Sequence, residues 1–289
     1  METESTEKLF DPVCGMDVSG LSDLKHVAHA GKTYALCGDG CEHRFKQTPD
    51  RFLGEPLIRL ENVWKVFDMG DTKTEVLKGI NLSIWEGDFT AIIGASGSGK
   101  STLLNMIGLL DRPSSGKVFF RGKDVSNAED HERAILRSTA FGFVFQQYNL
   151  IPWLSALENA TLPLIFSTGD TDGVKMLARF EDMGMKERVT HRPTQLSGGE
   201  QQRTAILRAL VNDPAVILGD EPTGNLDSKT GNKILEMLIG LNRGEKKTLI
   251  VVTHDADIAE KADEVITIRD GEMLRDHNIH RRTLTEHNV

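Results

Sequence analysis

Short apolar runs alternate along this chain with longer stretches in which apolar residues recur every three or four positions. The runs at 57–60, 80–84, 89–93, 215–218, 248–252 and 264–268 have strand length and are bounded by glycine, proline or charge. Stretches at 101–109, 129–139, 156–165, 174–183, 200–211 and 229–242 carry the helical period. Strands alternating with helices predict an α/β fold with a parallel sheet covered on both faces. Residues before 57 have another texture. Turn residues occur throughout, with one short strand at 32–36 and helical turns at 42–47 that end before Pro49.

Composition adds limits. A chain of 289 residues, 39% hydrophobic and 27% charged, has the apolar mass for a sizeable core and room for about two domains. The net charge of −9 argues against a nucleic-acid surface, which needs a dense basic face. No apolar run approaches the ~20 residues of a membrane span. The acidic start lacks a secretory pattern. The expectation is a cytoplasmic protein whose membrane role comes through a partner.

The three cysteines, Cys14, Cys37 and Cys41, all precede residue 42. They mark a module at 9–53, joined by a linker at 54–56 to a large domain at 57–276. A polar tail at 277–289 carries His277, His280 and His287. A unit of about 45 residues rarely buries enough apolar surface to stand alone. The large domain has its own core and no cysteine, so deletion of residues 1–55 is expected to leave nucleotide binding intact.

The segment Gly94-Ala95-Ser96-Gly97-Ser98-Gly99-Lys100-Ser101 matches the phosphate-loop pattern G-x-x-x-x-G-K-[ST]. It follows a buried strand and opens a helix, as the motif requires. The glycines let backbone N–H groups turn inward onto phosphate oxygens, and the helix adds the positive end of its dipole. Lys100 is expected at the β- and γ-phosphates of ATP, and the Ser101 hydroxyl on Mg2+. Downstream, the strand at 215–218 leads to Asp220 and Glu221. Asp220 stands at the carboxyl end of a parallel strand, suited to hold Mg2+ through water. Glu221 is the better candidate to polarise the attacking water.

Leu196-Ser197-Gly198-Gly199-Glu200-Gln201-Gln202 matches the ABC-transporter signature, and Gln146 in Gly142-Phe143-Val144-Phe145-Gln146 falls at its Q-loop. Asn225-Leu226-Asp227 fits the D-loop, and His254 in Val252-Thr253-His254-Asp255 the switch histidine. With these motifs in order, about 220 residues resemble a P-loop ABC ATPase: a parallel-sheet core with a helical signature subdomain. The resemblance implies that Thr102 joins residues 94–101 around the nucleotide, that Gln146 reaches Mg2+, and that His254 contacts the γ-phosphate. It implies a head-to-tail dimer in which Ser197, Gly198, Gly199 and Asp227 of one subunit cover ATP held by the other. Phe67 falls at the adenine-stacking position, where a core aromatic is the alternative. The wording at 96–113, 143–152 and 220–228 is similar to the lipoprotein-release and macrolide-export type, which implies a separate permease. Residues Tyr148, Leu150, Ile151, Trp153 and Leu154 are too apolar for a plain surface loop. They suit either permease contact or burial in the helical subdomain.

Asp11-Pro12-Val13-Cys14-Gly15-Met16, followed by Lys32-Thr33-Tyr34-Ala35-Leu36-Cys37 and Cys41, resembles a YHS-type domain. Gly38 and Leu36 depart from its usual Ser and aromatic. Three thiolates suit a soft ion, Zn2+ or Cu+, with a fourth ligand from His26, His29, His43 or water. Small buried apolar cysteines, or a protein-docking element, are the alternatives. The reading is an ATPase subunit that powers a permease at the inner face of the membrane. The alternatives are a mechanotransmitting ATPase acting on a cell-envelope hydrolase and a DNA- or ribosome-directed ABC ATPase.

Overall fold

A computed structural model describes residues 8–68, 70, 72–167 and 173–274. The tail at 277–289 and its histidines lie outside the described residues.

The central sheet has five parallel strands. β8 (Phe141–Phe145), β9 (Val216–Asp220), β10 (Thr248–Val252), β5 (Phe89–Ile93) and β11 (Glu264–Arg269) lie side by side in that order, and β12 (Glu272–Leu274) closes the edge antiparallel to β11. These strands read as continuous apolar runs because both faces are covered. Alternate residues go opposite ways: Leu218 and Ile250 join one core, while Ile217 and Val251 join another. The second core is closed by α7 (Gly198–Leu210) and α8 (Ser228–Glu245), which contribute Ile206, Leu210, Ile234 and Leu238.

The first core is closed by α2 (Lys100–Ile107) and by a second sheet. That sheet is antiparallel, in the order β4 (Lys73–Ile84), β3 (Ile58–Asp68), β6 (Ser115–Phe120), β7 (Lys123–Asp124). The runs at 57–60 and 80–84 therefore belong to this sheet and not to the parallel one. The expected helix at 156–165 is also broken. It forms α4 (Ala156–Thr161) and α5 (Leu164–Ser167), because Pro163 lacks an N–H and disfavours helix before it. With α6 (Gly173–Asp182) and α7, α4 encloses a helical subdomain around Ala160, Phe180, Leu196 and Leu207.

The N-terminal module is a hairpin of β1 (Lys25–His29) and β2 (Lys32–Leu36), then α1 (Asp39–Gln47) and a 3-10 turn at Pro49–Leu53. Its core holds Val13, Leu36, Phe45, Phe52 and the three cysteines, and also Trp85 from the large domain. The Trp85 indole donates to the Val13 carbonyl at 2.6 Å and meets the Phe52 ring edge-on. Arg44 of α1 reaches across to Asp88 and Glu264, and Arg51 reaches Asp88 at 2.6 Å. So the chain connection at 54–56 is not a break in packing. The module shares its core with the large domain through Trp85 and is joined to it by the Arg44 and Arg51 ion pairs.

Candidate functional site

The apolar strand β5 ends at Gly94, where the chain must turn sharply under a neighbouring strand. Gly94 has φ +154°, and a Cβ there would run into the Ile268 carbonyl. Only glycine fits this approach. Gly94→Ala is therefore expected to displace the loop and weaken ATP binding at least tenfold, measured by equilibrium titration with a fluorescent nucleotide. After the turn, the loop lines a cleft of about 530 Å³ with Gly94, Ser96, Gly97, Gly99, Lys100, Ser101 and Thr102. Gln146, Asp220, Glu221 and His254 close it from the far side.

The Lys100 side chain is buried and donates to the carbonyls of Gly94 and Ala95 at 2.9 and 2.8 Å. The Ser98 hydroxyl is buried beside it without a partner. The Ser101 hydroxyl donates to Asp220 Oδ1 at 3.1 Å. Burial raises the Asp220 carboxyl above its ordinary value, and the Ser101 hydrogen bond opposes that shift. Ser101, Asp220 and the Gln146 amide form a set of hard oxygen donors that fits Mg2+. Gln146 is held by Asn225, whose side-chain amide donates to the Gln146 backbone carbonyl at 2.9 Å.

Glu221 follows β9 with φ +46°, an uncommon conformation for a residue with a side chain, and its N–H is anchored to the Val252 carbonyl at 2.9 Å. Its Oε1 lies 3.1 Å from His254 Nδ1. Carboxylate and imidazole thus meet at the cleft mouth, where an attacking water must be oriented.

The remaining nucleotide candidates lie elsewhere on the subunit. Ser197 caps α7 through a capping box with Glu200. The Arg188 guanidinium holds Glu200 down at about 2, assisted by the Ser197 N–H and hydroxyl. Gly198 and Gly199 begin the helix with their N–H groups at its positive end. Asp227 caps α8 and lines a second cleft, which it shares with Glu221 and His254. Neither Ser197 nor Phe67 is in the wall of the phosphate-loop cleft. Phe67 stands near the end of β3, with the Lys65 ammonium 4.8 Å from its ring centre.

The cysteine module converges on a second cluster. Donor atoms of Asp11, Cys14, Cys37 and Cys41 lie within 4.8 Å of one another, and all four residues are buried. The Sγ atoms of Cys14 and Cys37 are 3.8 Å apart, and those of Cys37 and Cys41 3.5 Å. The Cys14 thiol is raised mainly by its contact with Cys37, against an opposing contact with Cys41, and the Cys41 thiol by Cys14 and Cys37, with burial adding to both. The Asp11 carboxyl is pushed up to about 6 by burial and by Cys37. The fourth donor is thus a carboxylate, and His26, His29 and His43 are not in the cluster. Its signal was available in the sequence, in an acid three residues before Cys14. Val76, which lines the same cleft as the phosphate loop, had no comparable local signal.

Comparison with known proteins agrees with this geometry. A profile described as ABC transporter matches residues 77–224. An uncharacterized ABC transporter ATP-binding protein of Thermotoga maritima is 49% identical over 75% of this chain and 93% of its own. The macrolide export ATP-binding/permease protein MacB of Pasteurella multocida is 45% identical over 78% of this chain, which spans 35% of MacB's length. The dimeric structure of the MJ0796 cassette of Methanocaldococcus jannaschii superposes with a TM-score of 0.70 at 47% identity. It covers 75% of this chain and 97% of that one. A further structure of MJ0796 is described as a post-hydrolysis state bound to ADP and Pi. The chain belongs to the ABC transporter family, and it is an ATPase of that family. No helix among the described residues is long and apolar enough to cross a membrane.

Proposed function

We propose that this chain is the energising subunit of an ABC transporter of the export or lipoprotein-release type, acting on a separate permease at the inner face of the membrane. The observation that carries the reading is the Glu221–His254 contact at the mouth of the phosphate-loop cleft. In this reading the loop N–H groups and Lys100 hold the phosphates. Ser101, Asp220 and Gln146 would hold Mg2+, which would supply charge neutralisation to the phosphates. Glu221 accepts a hydrogen bond from the attacking water, and His254 fixes its orientation. Phe67 stacks on the adenine.

The signature residues Ser197, Gly198 and Gly199 do not line their own chain's loop cleft, and Asp227 lies beside it in the adjoining cleft with Glu221 and His254. The signature residues are a second anion cradle awaiting a partner. Two chains arranged head to tail give each ATP one loop and one signature. The permease contact is the exposed apolar face near the Q-loop, where Trp153 is 71% exposed and Phe166 76%. Asn159, fully buried, fixes the loop before Trp153 by bonding both the N–H and the carbonyl of Ile151.

Mixing two inactive variants tests the composite site. Lys100→Ala chains combined with Ser197→Arg chains form mixed dimers with one doubly damaged site and one intact site. ATPase activity is expected to return in part on mixing. Full activity and normal ATP-driven dimerisation of Ser197→Arg alone would overturn the second cradle.

The cysteine module adds metal responsiveness. It is read as binding one soft ion, Zn2+ or Cu+, through Cys14, Cys37 and Cys41. Native mass spectrometry with each ion supplied separately tests this. Binding no stronger than that of the triple Cys→Ser variant would defeat it.

A further inference from the structure

The two segments that carry the cysteines are also the two segments that dock the module on the ATPase. The first is the turn from Asp11 to Gly15. Its Val13 carbonyl accepts from Trp85, and its Cys14 carbonyl accepts from the Ser83 N–H at 2.8 Å. Gly15 presses so closely on β4 that a Cβ there would lie 2.7 Å from the Ser83 nitrogen. The second segment runs from Cys37, just after β2, into α1, which carries Cys41 and, one turn on, Arg44. That guanidinium bridges Asp88, just before β5, and Glu264, the first residue of β11. One segment grips the end of β4, the other the starts of β5 and β11. At the cluster itself they meet through sulfur contacts and through the Asp11 carboxylate, which accepts from the Cys37 N–H at 2.6 Å.

We propose that Asp11, Cys14, Cys37 and Cys41 form a closed four-donor site for a divalent ion of the zinc class, and that this ion is the clasp between the two docking segments. The inference rests on the metal reading above and goes further in naming the fourth ligand, the ion class and the mechanical consequence. Thiolates bound at about 2.3 Å to one tetrahedral centre stand about 3.8 Å apart. The Cys14–Cys37 and Cys37–Cys41 sulfur separations, 3.8 and 3.5 Å, are close to that edge, and all four donor atoms lie within 4.8 Å of one another. A buried carboxylate as fourth donor completes a tetrahedron for Zn2+, whereas Cu+ is served by the sulfurs alone. Four protein donors leave no open position, so the site is structural. Because the ion would join Cys14 to Cys41, it would hold the Val13–Cys14 segment and the Arg44 helix in the spacing that fits β4, β5 and β11. Zinc occupancy would then be read by the ATPase domain as firmness of docking.

The test uses the full chain. With zinc, one ion per chain is expected, and the Ser83 amide should exchange with solvent at least tenfold more slowly than without it. Asp11→Asn keeps the side chain's size and should weaken zinc at least tenfold while leaving reduced copper within about twofold. Cobalt in the wild-type chain should give the intense visible bands of a tetrahedral thiolate site, which keeps the question open to measurement even if Asp11→Asn folds poorly. Zinc binding with unchanged Ser83 exchange, or with no loss in Asp11→Asn, would overturn this inference and leave the metal reading standing. Preference for reduced copper over zinc would overturn the ion class. Binding of neither ion overturns both.

Discussion

Glu221→Gln is expected to lower steady-state phosphate release by about 100-fold or more while leaving ATP affinity near wild type, the loss typical of a missing proton-accepting group. The substitution keeps the side chain's size and can still meet His254, so the cleft keeps its shape. It removes the negative charge that draws a proton from the water. Lys100 and the loop amides are untouched, so ATP still binds. Turnover stops at the point where both sites are filled, and closed dimers accumulate, visible by sedimentation with ATP. Wild-type hydrolysis by the purified variant would remove Glu221 from the role. His254→Ala is expected to fall between the two, because it disturbs orientation while the base remains.

The second large effect lies far from the nucleotide. Arg44→Ala is expected to cost about 3 kcal/mol of stability, since it leaves buried carboxylates without their cation. The Asp88 and Glu264 side chains are both only 5% exposed, so water cannot replace the guanidinium. Arg51 still faces Asp88, which keeps the cost toward the lower end of the range for a broken buried pair. Denaturant unfolding of the whole chain measures the loss directly. The pH dependence has a definite sign. Burial outweighs the Arg44 pairing and raises Glu264 from 4.5 to about 7. Between those values the folded chain holds a proton that the unfolded chain has released. This group's contribution therefore falls as pH rises from 4.5 to 7. In Arg44→Ala the folded-state carboxyl rises further, so the decline should extend to higher pH. Deleting residues 1–55 removes the same cation and exposes Trp85, so the melting temperature of the remaining domain should drop as well.

The nucleotide machinery was legible because each part is local. The loop at 94–101 announces itself in eight consecutive residues, and Asp220 and Glu221 follow an apolar run that can only be a buried strand. The structure brings Ser101, Gln146, Asp220, Glu221 and His254 to one cleft. The antiparallel sheet was largely hidden. Strands β3 and β4 are long, bulged and half exposed, so their apolar positions break the strict alternation that marks a strand. Strand β6 gave no signal at all beside its glycine and lysine. The helix break at Pro163 was readable and was overridden by the apolar period on either side. The docking of the module was beyond reach, because Trp85 meets Val13 and Arg44 meets Glu264 across long stretches of chain with no motif at either end.

The Lys100 ammonium rests on the carbonyls of Gly94 and Ala95. An anion that takes up this ammonium must exchange those two bonds for bonds of its own. A single chloride or phosphate would have to break two charge-assisted bonds in exchange for one or two of its own. A polyphosphate brings many oxygens at once, meets several loop amides together and can take over the ammonium in the same event. A lysine tied to its own loop's backbone is therefore expected to favour a polyphosphate over a small anion, which competition titration with chloride and phosphate would measure.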